Sequence, residues 1–64
     1  MLMPRRAEFE IYKGASGQFR WRLRAANGEI IASGEAYTSK DACKNGIRSV
    51  RRSAPKAVLQ DLTK

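Results

Sequence analysis

Residues 18–33 read QFRWRLRAANGEIIAS, and the first half of this stretch decides the fold. Apolar and basic side chains alternate along it, with Phe19, Trp21 and Leu23 separated by single arginines. In a β-strand successive side chains point to opposite faces, so a period of two puts the apolar set on one face and the arginines on the other. The pattern predicts a half-buried strand with a basic outer face.

A hairpin is predicted directly after this strand. Asn27 and Gly28 form the dipeptide that best tolerates positive φ at both central positions of a type I′ turn, which joins two strands through a two-residue loop. A further strand is therefore expected over residues 29–33. The two apolar faces coincide when Leu23 lies opposite Ala32.

An earlier strand is predicted over residues 7–13, where Phe9 and Ile11 alternate with polar side chains. Residues 14–17 contain two glycines and interrupt the pattern before the arginine-rich strand begins. The two apolar faces match when paired residue numbers have an even sum, for example Phe9 with Trp21. Three antiparallel strands in chain order are thus expected.

The acids of the first strand are expected to pair with arginines of the second. In the register of that example, Glu10 lies opposite Arg20 and Glu8 lies opposite Arg22. Opposite charges facing each other across two strands stabilise a sheet. We interpret these closely spaced carboxylates as ion-pair partners and not as an acid and base for catalysis.

A helix is predicted from about Lys40 to Ser53, after an N-cap at Thr38-Ser39 and before Pro55. At about 100° per residue, its apolar residues share one arc and its cations share another. We call the cations the basic stripe: Lys40, Lys44, Arg48, Arg51 and Arg52. The basic stripe is either an ordinary solvated face or a surface that binds an anion, such as nucleic acid or an acidic protein.

Three further residues are assigned packing roles. Tyr37, just before the N-cap, is expected to staple the helix to the sheet. Gly46 lies on the apolar side in mid-helix, where glycine costs about 1 kcal/mol relative to alanine, and so indicates a close approach of helix and sheet. Cys43 on the same side is expected to be a packed hydrophobe whose pKa is raised by burial.

The predicted fold class is α+β, a two-layer arrangement in which a three-stranded antiparallel β-β-β sheet packs on one α-helix. Residues 1–64 are expected to form a single domain, with an ordered core at about 7–54 and a C-terminal arm over 55–64. That arm carries Val58, Leu59 and Leu62, and is either a short final strand or an apolar extension.

The chain is small for an independent fold. Scaling laws give a burial gain of about 95 kcal/mol for 64 residues, against about 96 kcal/mol for ordering the chain. One cysteine and no histidine provide neither a disulfide nor an ordinary zinc site. Self-association into a homodimer would supply the missing stability, and no catalytic, cofactor or metal site is predicted.

The arginine face of the sheet is the candidate dimer face. It also carries Tyr12 and Ile31, with Ile31 expected opposite Arg24, so this face is not purely polar. A second copy of the chain packing there would remove the apolar side chains from water.

The order and spacing of several short motifs resemble the YegP-like family of small uncharacterised bacterial proteins. The resemblance spans roughly residues 9–50 and rests on FEIY at 9–12, WRL at 21–23, NGEII at 27–31, Tyr37 with Ser39-Lys40, and NGI at 45–47 with Ser49-Val50. It implies an antiparallel sheet packed on a helix, in a unit that occurs twice in tandem or once in a short chain. A single unit then implies a homodimer, and the family has no established biochemical activity.

Two functions follow from these features. The first is a self-associating structural or interaction module without enzymatic activity. The second is a basic homodimer that binds nucleic acid through phosphates without sequence specificity, which a net charge of +7 favours. No window reaches the roughly 18 apolar residues of a membrane span, so a cytoplasmic protein without membrane contact is expected, and no small-molecule substrate is indicated.

Overall fold

The computed structural model describes residues 6–63, so the outermost residues of the expected domain, 1–5 and 64, lie outside the described part. Its elements are strands β1 (Glu8–Lys13), β2 (Phe19–Arg24) and β3 (Ile30–Ser33), helix α1 (Lys40–Ser53) and a 3₁₀ turn (Ala54–Lys56). Neither helical segment of residues 6–63 combines the length and apolar character needed to cross a membrane.

The strands form one antiparallel sheet in the order β1-β2-β3, and α1 packs on the central strand β2. This confirms the predicted α+β fold with a three-stranded sheet and one helix. Because β2 pairs on both sides, its alternation of apolar and basic residues sets the character of both sheet faces.

The register of the first hairpin differs from the predicted example by two residues. Phe9 pairs with Leu23 and Ile11 pairs with Trp21, in place of Phe9 with Trp21. A shift of two leaves every side chain on its predicted face. The alternation specifies only whether the residue numbers of two paired positions add to an even or an odd number. The connecting turn decides between the even registers, because Gly17 takes the positive φ of +84° that closes it.

The second hairpin has a different turn from the predicted type I′. Ala25 donates its backbone N–H to Glu29 O at 2.7 Å, and Gly28 donates to Ala25 O at 2.8 Å. Gly28 has a φ of +92°, whereas Asn27 does not have positive φ. This is the three-residue loop with a glycine bulge, and Asn27 supports it by accepting the Glu29 N–H on Oδ1 at 3.0 Å.

The first hairpin uses the same turn. Gly14 donates to Gln18 O at 2.8 Å and Gly17 donates to Gly14 O at 3.0 Å. Each loop thus places a glycine at its third position, after alanine and a short polar residue: ASG at 15–17 and ANG at 26–28.

Strand β3 contains a bulge that corrects the predicted position of Ile31. Leu23 pairs with Ala32, as predicted, but Arg24 pairs with Ile30 because the register shifts between Leu23 and Arg24. Ile31 is therefore the extra residue of β3 and does not lie opposite Arg24. The glycine-bulge turn starts the strand one residue out of the type I′ register, and the bulge at Ile31 restores it.

Helix α1 has the predicted bounds. Ser39 is the N-cap, and its hydroxyl accepts the Ala42 N–H at 3.1 Å. The α-helix ends at Ser53 and the chain continues through a 3₁₀ turn that contains Pro55, which has no N–H to continue the helical hydrogen bonds.

The C-terminal segment forms no strand within the described residues. Val58, Leu59 and Leu62 are 85%, 95% and 81% exposed. Near its end the Asp61 carboxylate accepts hydrogen bonds from the Thr63 N–H and hydroxyl at 2.9 and 2.6 Å. Of the two predicted alternatives, the structure shows an apolar extension and not a final strand.

The core is built around one indole ring. Trp21 and Cys43 are the two buried apolar residues of the described chain, 5% and 0% exposed. The Phe9 ring meets the Trp21 ring edge-on, with centroids 5.6 Å apart. On another side the indole lies directly on Gly34, where an added Cβ would overlap its Nε1 and Cε2 atoms.

Tyr37 joins the sheet to the helix, which confirms its predicted role. Its backbone forms an isolated bridge with Phe19, in which each N–H donates to the other carbonyl at 2.8 Å. Its hydroxyl lies against Gly46, and a Cβ there would overlap it. The mid-helix glycine is thus explained by the Tyr37 side chain that fills the space between the layers.

We expect Gly34→Ala to destabilise the fold by about 1 to 3 kcal/mol, because the buried indole cannot move away from an added methyl group. Gly14→Ala is the matched control, since a Cβ there meets the flexible Arg20 side chain at 3.2 Å. Thermal unfolding followed by circular dichroism compares them. Equal melting temperatures for the two variants would contradict this account of the core.

Candidate functional site

The first candidate surface is the outer face of the sheet, where one carboxylate pairs with two arginines. Glu10 Oε1 accepts hydrogen bonds from Nε of Arg22 at 2.7 Å and from Nε of Arg24 at 3.2 Å. Arg24 also donates from Nη1 to the carbonyl of Gly28 at 2.6 Å, which ties the network to the second turn. The two-residue register shift explains why Glu10 pairs with Arg22 and not with Arg20.

This network holds the pKa of the Glu10 carboxyl below its ordinary value. The hydrogen bond from Arg22 is the largest cause, and the hydrogen bond from Arg24 and the charges of both arginines act in the same direction. The side chains are about one-third exposed, so solvent screens the attraction. Glu10 is therefore an ionised structural partner, and its lowered pKa disfavours a role as a proton donor.

Of the candidate dimer face, the structure brings two residues into this network. The Arg22 guanidinium lies over the Tyr12 ring at 4.8 Å, a cation–π contact, while Arg24 shares the Glu10 carboxylate. Ile31 lies on β3 and is 57% exposed. The predicted face therefore combines a satisfied polar cluster with an exposed apolar edge.

The second candidate surface is the basic stripe. All five of its side chains are exposed, and within residues 6–63 none of them forms an ion pair. The one polar contact seen for the stripe is between Arg48 Nη1 and the neutral Asn45 Oδ1, at 2.7 Å. Its positive charge is thus uncompensated by the described part of the chain.

The structure divides the basic stripe into two ends. Arg48, Arg51 and Arg52 line one shallow depression of about 380 Å³, and we call these three residues the arginine cluster. Lys40 instead lines a separate depression of about 350 Å³ beside the sheet, together with residues of β1 and β2: Ile11, Tyr12, Lys13 and Phe19. The arginine cluster and Lys40 thus line different depressions of the surface.

The cysteine thiol, the most nucleophilic side chain of this protein, is part of the core. Cys43 is fully buried on the sheet side of α1, and burial raises the pKa of its thiol, as predicted. No group of three or more metal-ligating side chains occurs among residues 6–63. The surfaces of this unit are suited to binding through charge and apolar contact.

Sequence patterns missed two features of these surfaces. Glu10 was assigned one arginine, whereas its spacing along β1 lets it accept from two neighbouring arginines of β2 on the same face. Ile30, which is 54% exposed, was not included in the dimer face because the type I′ register placed it among the inward residues. The recurring alanine-polar-glycine loop is the signal that indicates the bulged turn and hence the outward position of Ile30.

Comparison with known proteins identifies the class of molecule to which this small sheet-and-helix unit belongs. Residues 15–61 match a family described as "Domain of unknown function (DUF1508)", and the chain belongs to this family. A UPF0339 protein of Treponema denticola is 56% identical over 55 residues, covering 86% of this chain and 95% of that protein. The predicted family resemblance is thereby confirmed, and the family carries no enzymatic name.

Two other relatives bear on architecture. The UPF0339 protein YegP of Yersinia pestis is 48% identical over 54 residues, which are 84% of this chain but 48% of that protein. A protein from Haloferax volcanii solved by NMR superposes with a TM-score of 0.81 at 46% identity, covering 88% of this chain and 95% of the other. The unit thus occurs in a chain of similar size and within a longer one.

The lowered pKa of Glu10 predicts an acid-dependent part of the stability. A carboxyl with a lower pKa in the folded state stabilises the fold fully above its unfolded value, ordinarily 4.5, and this contribution is lost as the pH falls through the folded value. We expect Glu10→Gln to flatten the decline of melting temperature below about pH 4.5. Glu8→Gln, which removes a β1 carboxylate without an ion pair among residues 6–63, should retain the wild-type profile. An unchanged profile in Glu10→Gln would contradict the assignment.

Proposed function

We propose that this chain is a self-associating interaction module, cytoplasmic and without enzymatic activity of its own. The observation that carries the proposal is the amount of apolar side chain left in water. Within residues 6–63 two apolar residues are buried, whereas five large ones are more than half exposed: Ile30, Ile31, Val58, Leu59 and Leu62. These residues form an edge of the sheet and an extended C-terminal segment.

The energy available from covering these residues is large compared with the stability of so small a domain. Complete burial of one Val, Leu or Ile side chain contributes about 1.5 to 3 kcal/mol. Folded domains are stable by only about 5 to 15 kcal/mol in total. Packing several of the exposed side chains against a second copy therefore contributes a free energy comparable to the total stability of a folded domain.

The surface area supports the same proposal. The chain exposes 5563 Å². A compact monomer of 7.2 kDa is expected to expose about 4,100 Å², so the excess is roughly 1,500 Å². Standard protein interfaces bury about 1,200 to 2,000 Å² over both partners, so the excess on each copy is large enough to form one.

The proposed contact surface extends the predicted dimer face along the sheet. Arg24 pairs with Ile30 on the outer face, and Ile31 adds an exposed side chain at the adjacent bulge. The network around Glu10 fixes the side chains of Tyr12 and Arg24. These groups are therefore already stacked or hydrogen-bonded before a second copy binds. The C-terminal apolar residues supply the second part of the contact.

The longer relative fits this arrangement. The matched region is about half of the Yersinia pestis protein, which leaves room in that chain for a second unit of the same size. Two copies of the present chain would reproduce such a pair without a covalent link. Symmetric pairs are the commonest form of soluble oligomer.

The absence of enzymatic activity is proposed from the side chains available. The chain has no histidine, Cys43 is buried with a raised thiol pKa, and Glu10 is held ionised by arginines. Histidine, the commonest base near neutral pH, is thus missing, and the cysteine and the lowered-pKa carboxylate have structural roles.

We expect light scattering at micromolar concentration to give 14.4 kDa, twice the chain mass of 7.2 kDa. The melting temperature should fall on dilution, because dissociation is then coupled to unfolding. A monomer that keeps its melting temperature over a hundredfold dilution would exclude self-association.

Paired substitutions locate the contact. Leu59→Ser with Leu62→Ser, and separately Ile30→Thr with Ile31→Thr, should each shift the mass toward 7.2 kDa. Gln60→Ser with Thr63→Ser changes the same segment at polar positions and should leave the dimer intact. Dimers that persist in both apolar variants would place the interface elsewhere.

A further inference from the structure

We infer that the basic stripe binds the phosphate backbone of duplex nucleic acid, without reading its sequence, and that the arginine cluster makes the principal contacts. This goes beyond self-association, because it assigns a ligand to cations that the proposed apolar contacts do not include. The inference rests on unpaired charge, on the extent of the charged face and on what the opposite side of α1 contacts.

The first observation is that two groups of arginines within residues 6–63 differ in their partners. Arg22 and Arg24 on the sheet share the carboxylate of Glu10 at 2.7 and 3.2 Å. The arginine cluster has no carboxylate partner within residues 6–63, and Arg48 contacts only a neutral amide. Guanidinium groups without an internal acceptor are free to form bidentate hydrogen bonds with phosphate oxygens.

The second observation is the local excess of charge. Residues 42–60 include five cations and no acid: Lys44, Arg48, Arg51, Arg52 and Lys56. The negative end of the helix dipole lies here, but it amounts to about half a charge, and three guanidinium groups exceed it. An approaching polyanion therefore meets a net positive field along this half of the helix.

The third observation is the length of the charged face. At 1.5 Å per residue, the part of the basic stripe from Lys44 to Arg52 extends about 12 Å along the helix axis. Duplex DNA carries one negative charge per about 1.7 Å of its axis, so roughly seven phosphate charges lie within that distance. A single small anion would contact only part of the stripe, and an extended polyanion matches it better.

The packing of α1 argues against a membrane as the partner. An amphipathic helix that binds lipid inserts its apolar face among the acyl chains. The apolar face of α1 is already packed on β2, with Cys43 fully buried there. What remains outward is the charged face, which suits phosphate contacts that position a protein without specifying a sequence.

The test is a titration of wild-type protein against fluorescein-labelled duplex DNA of about 20 base pairs, in two unrelated sequences, at roughly 50 and 200 mM NaCl. Three phosphate contacts predict a loss of affinity of about 40-fold between the two salt concentrations. Arg48→Gln, Arg51→Gln and Arg52→Gln together should abolish most of that salt dependence and weaken binding at low salt by at least about 10-fold. Both duplexes should behave alike.

The matched control removes the same charge elsewhere. Arg6→Gln, Lys13→Gln and Arg20→Gln also lower the net charge from +7 to +4, and this variant should keep the wild-type salt dependence. Single Arg51→Gln and Arg52→Gln variants, each checked by thermal unfolding, should reduce the logarithmic salt slope by about 0.9 each. These single changes keep the test valid if the triple variant fails to fold.

Three outcomes would overturn the inference. The first is a wild type that does not bind either duplex at low salt. The second is equal binding by the two triple variants, which would show that net charge alone is responsible. The third is binding of phosphatidylserine vesicles, lost in the arginine-cluster variant, without binding of duplex, which would assign the surface to a membrane.

Discussion

The position of one indole ring constrains the rest of this structure. Trp21 lies in the middle strand, 5% exposed, and contacts the ring of Phe9 from β1. Gly34, just after β3, donates its N–H to the Trp21 carbonyl at 3.1 Å and leaves no room for a side chain against the indole. The chain leaves β3 at this point, and position 34 must be glycine because any larger residue would displace the indole.

The connection from sheet to helix depends on that exit. Three residues after Gly34, the backbone of Tyr37 pairs with Phe19 at the start of β2, and its hydroxyl lies on Gly46 of α1. A glycine in mid-helix is unfavourable by about 1 kcal/mol, and here the packed tyrosine offsets that cost. Two glycines, each packed against an aromatic side chain, thus fix how the helix lies on the sheet.

The indole nitrogen takes no part in holding the core. Trp21 Nε1 has no hydrogen-bond acceptor within the described chain, so the ring is held by packing and not by its polar atom.

How far the sequence predicts this architecture depends on the kind of signal. Strong alternation in β2 and the Ser39 cap predicted the sheet faces and the bounds of α1 correctly, because both are local properties. The register of the first hairpin was wrong by two residues, since a period of two cannot distinguish between even registers. Asn27-Gly28 suggested a type I′ turn, yet the dipeptide fits a bulged loop equally well when only the glycine takes positive φ. The position of Lys40 beside β1 and β2 is a tertiary feature, which helical periodicity does not contain.

The distribution of charge follows from having only one helix. A single helix covers one face of a three-stranded sheet, so the other face must satisfy its own side chains. It does so with Glu10 between Arg22 and Arg24, and with Arg22 over Tyr12, which uses those cations internally. This network does not extend to the edge at β3 or to the segment after α1, where apolar side chains remain exposed. Nor does it reach the outward face of α1, whose cations form no ion pair within residues 6–63. The exposed apolar side chains of β3 and the unpaired cations of α1 therefore belong to different elements, and neither set has an internal partner within residues 6–63.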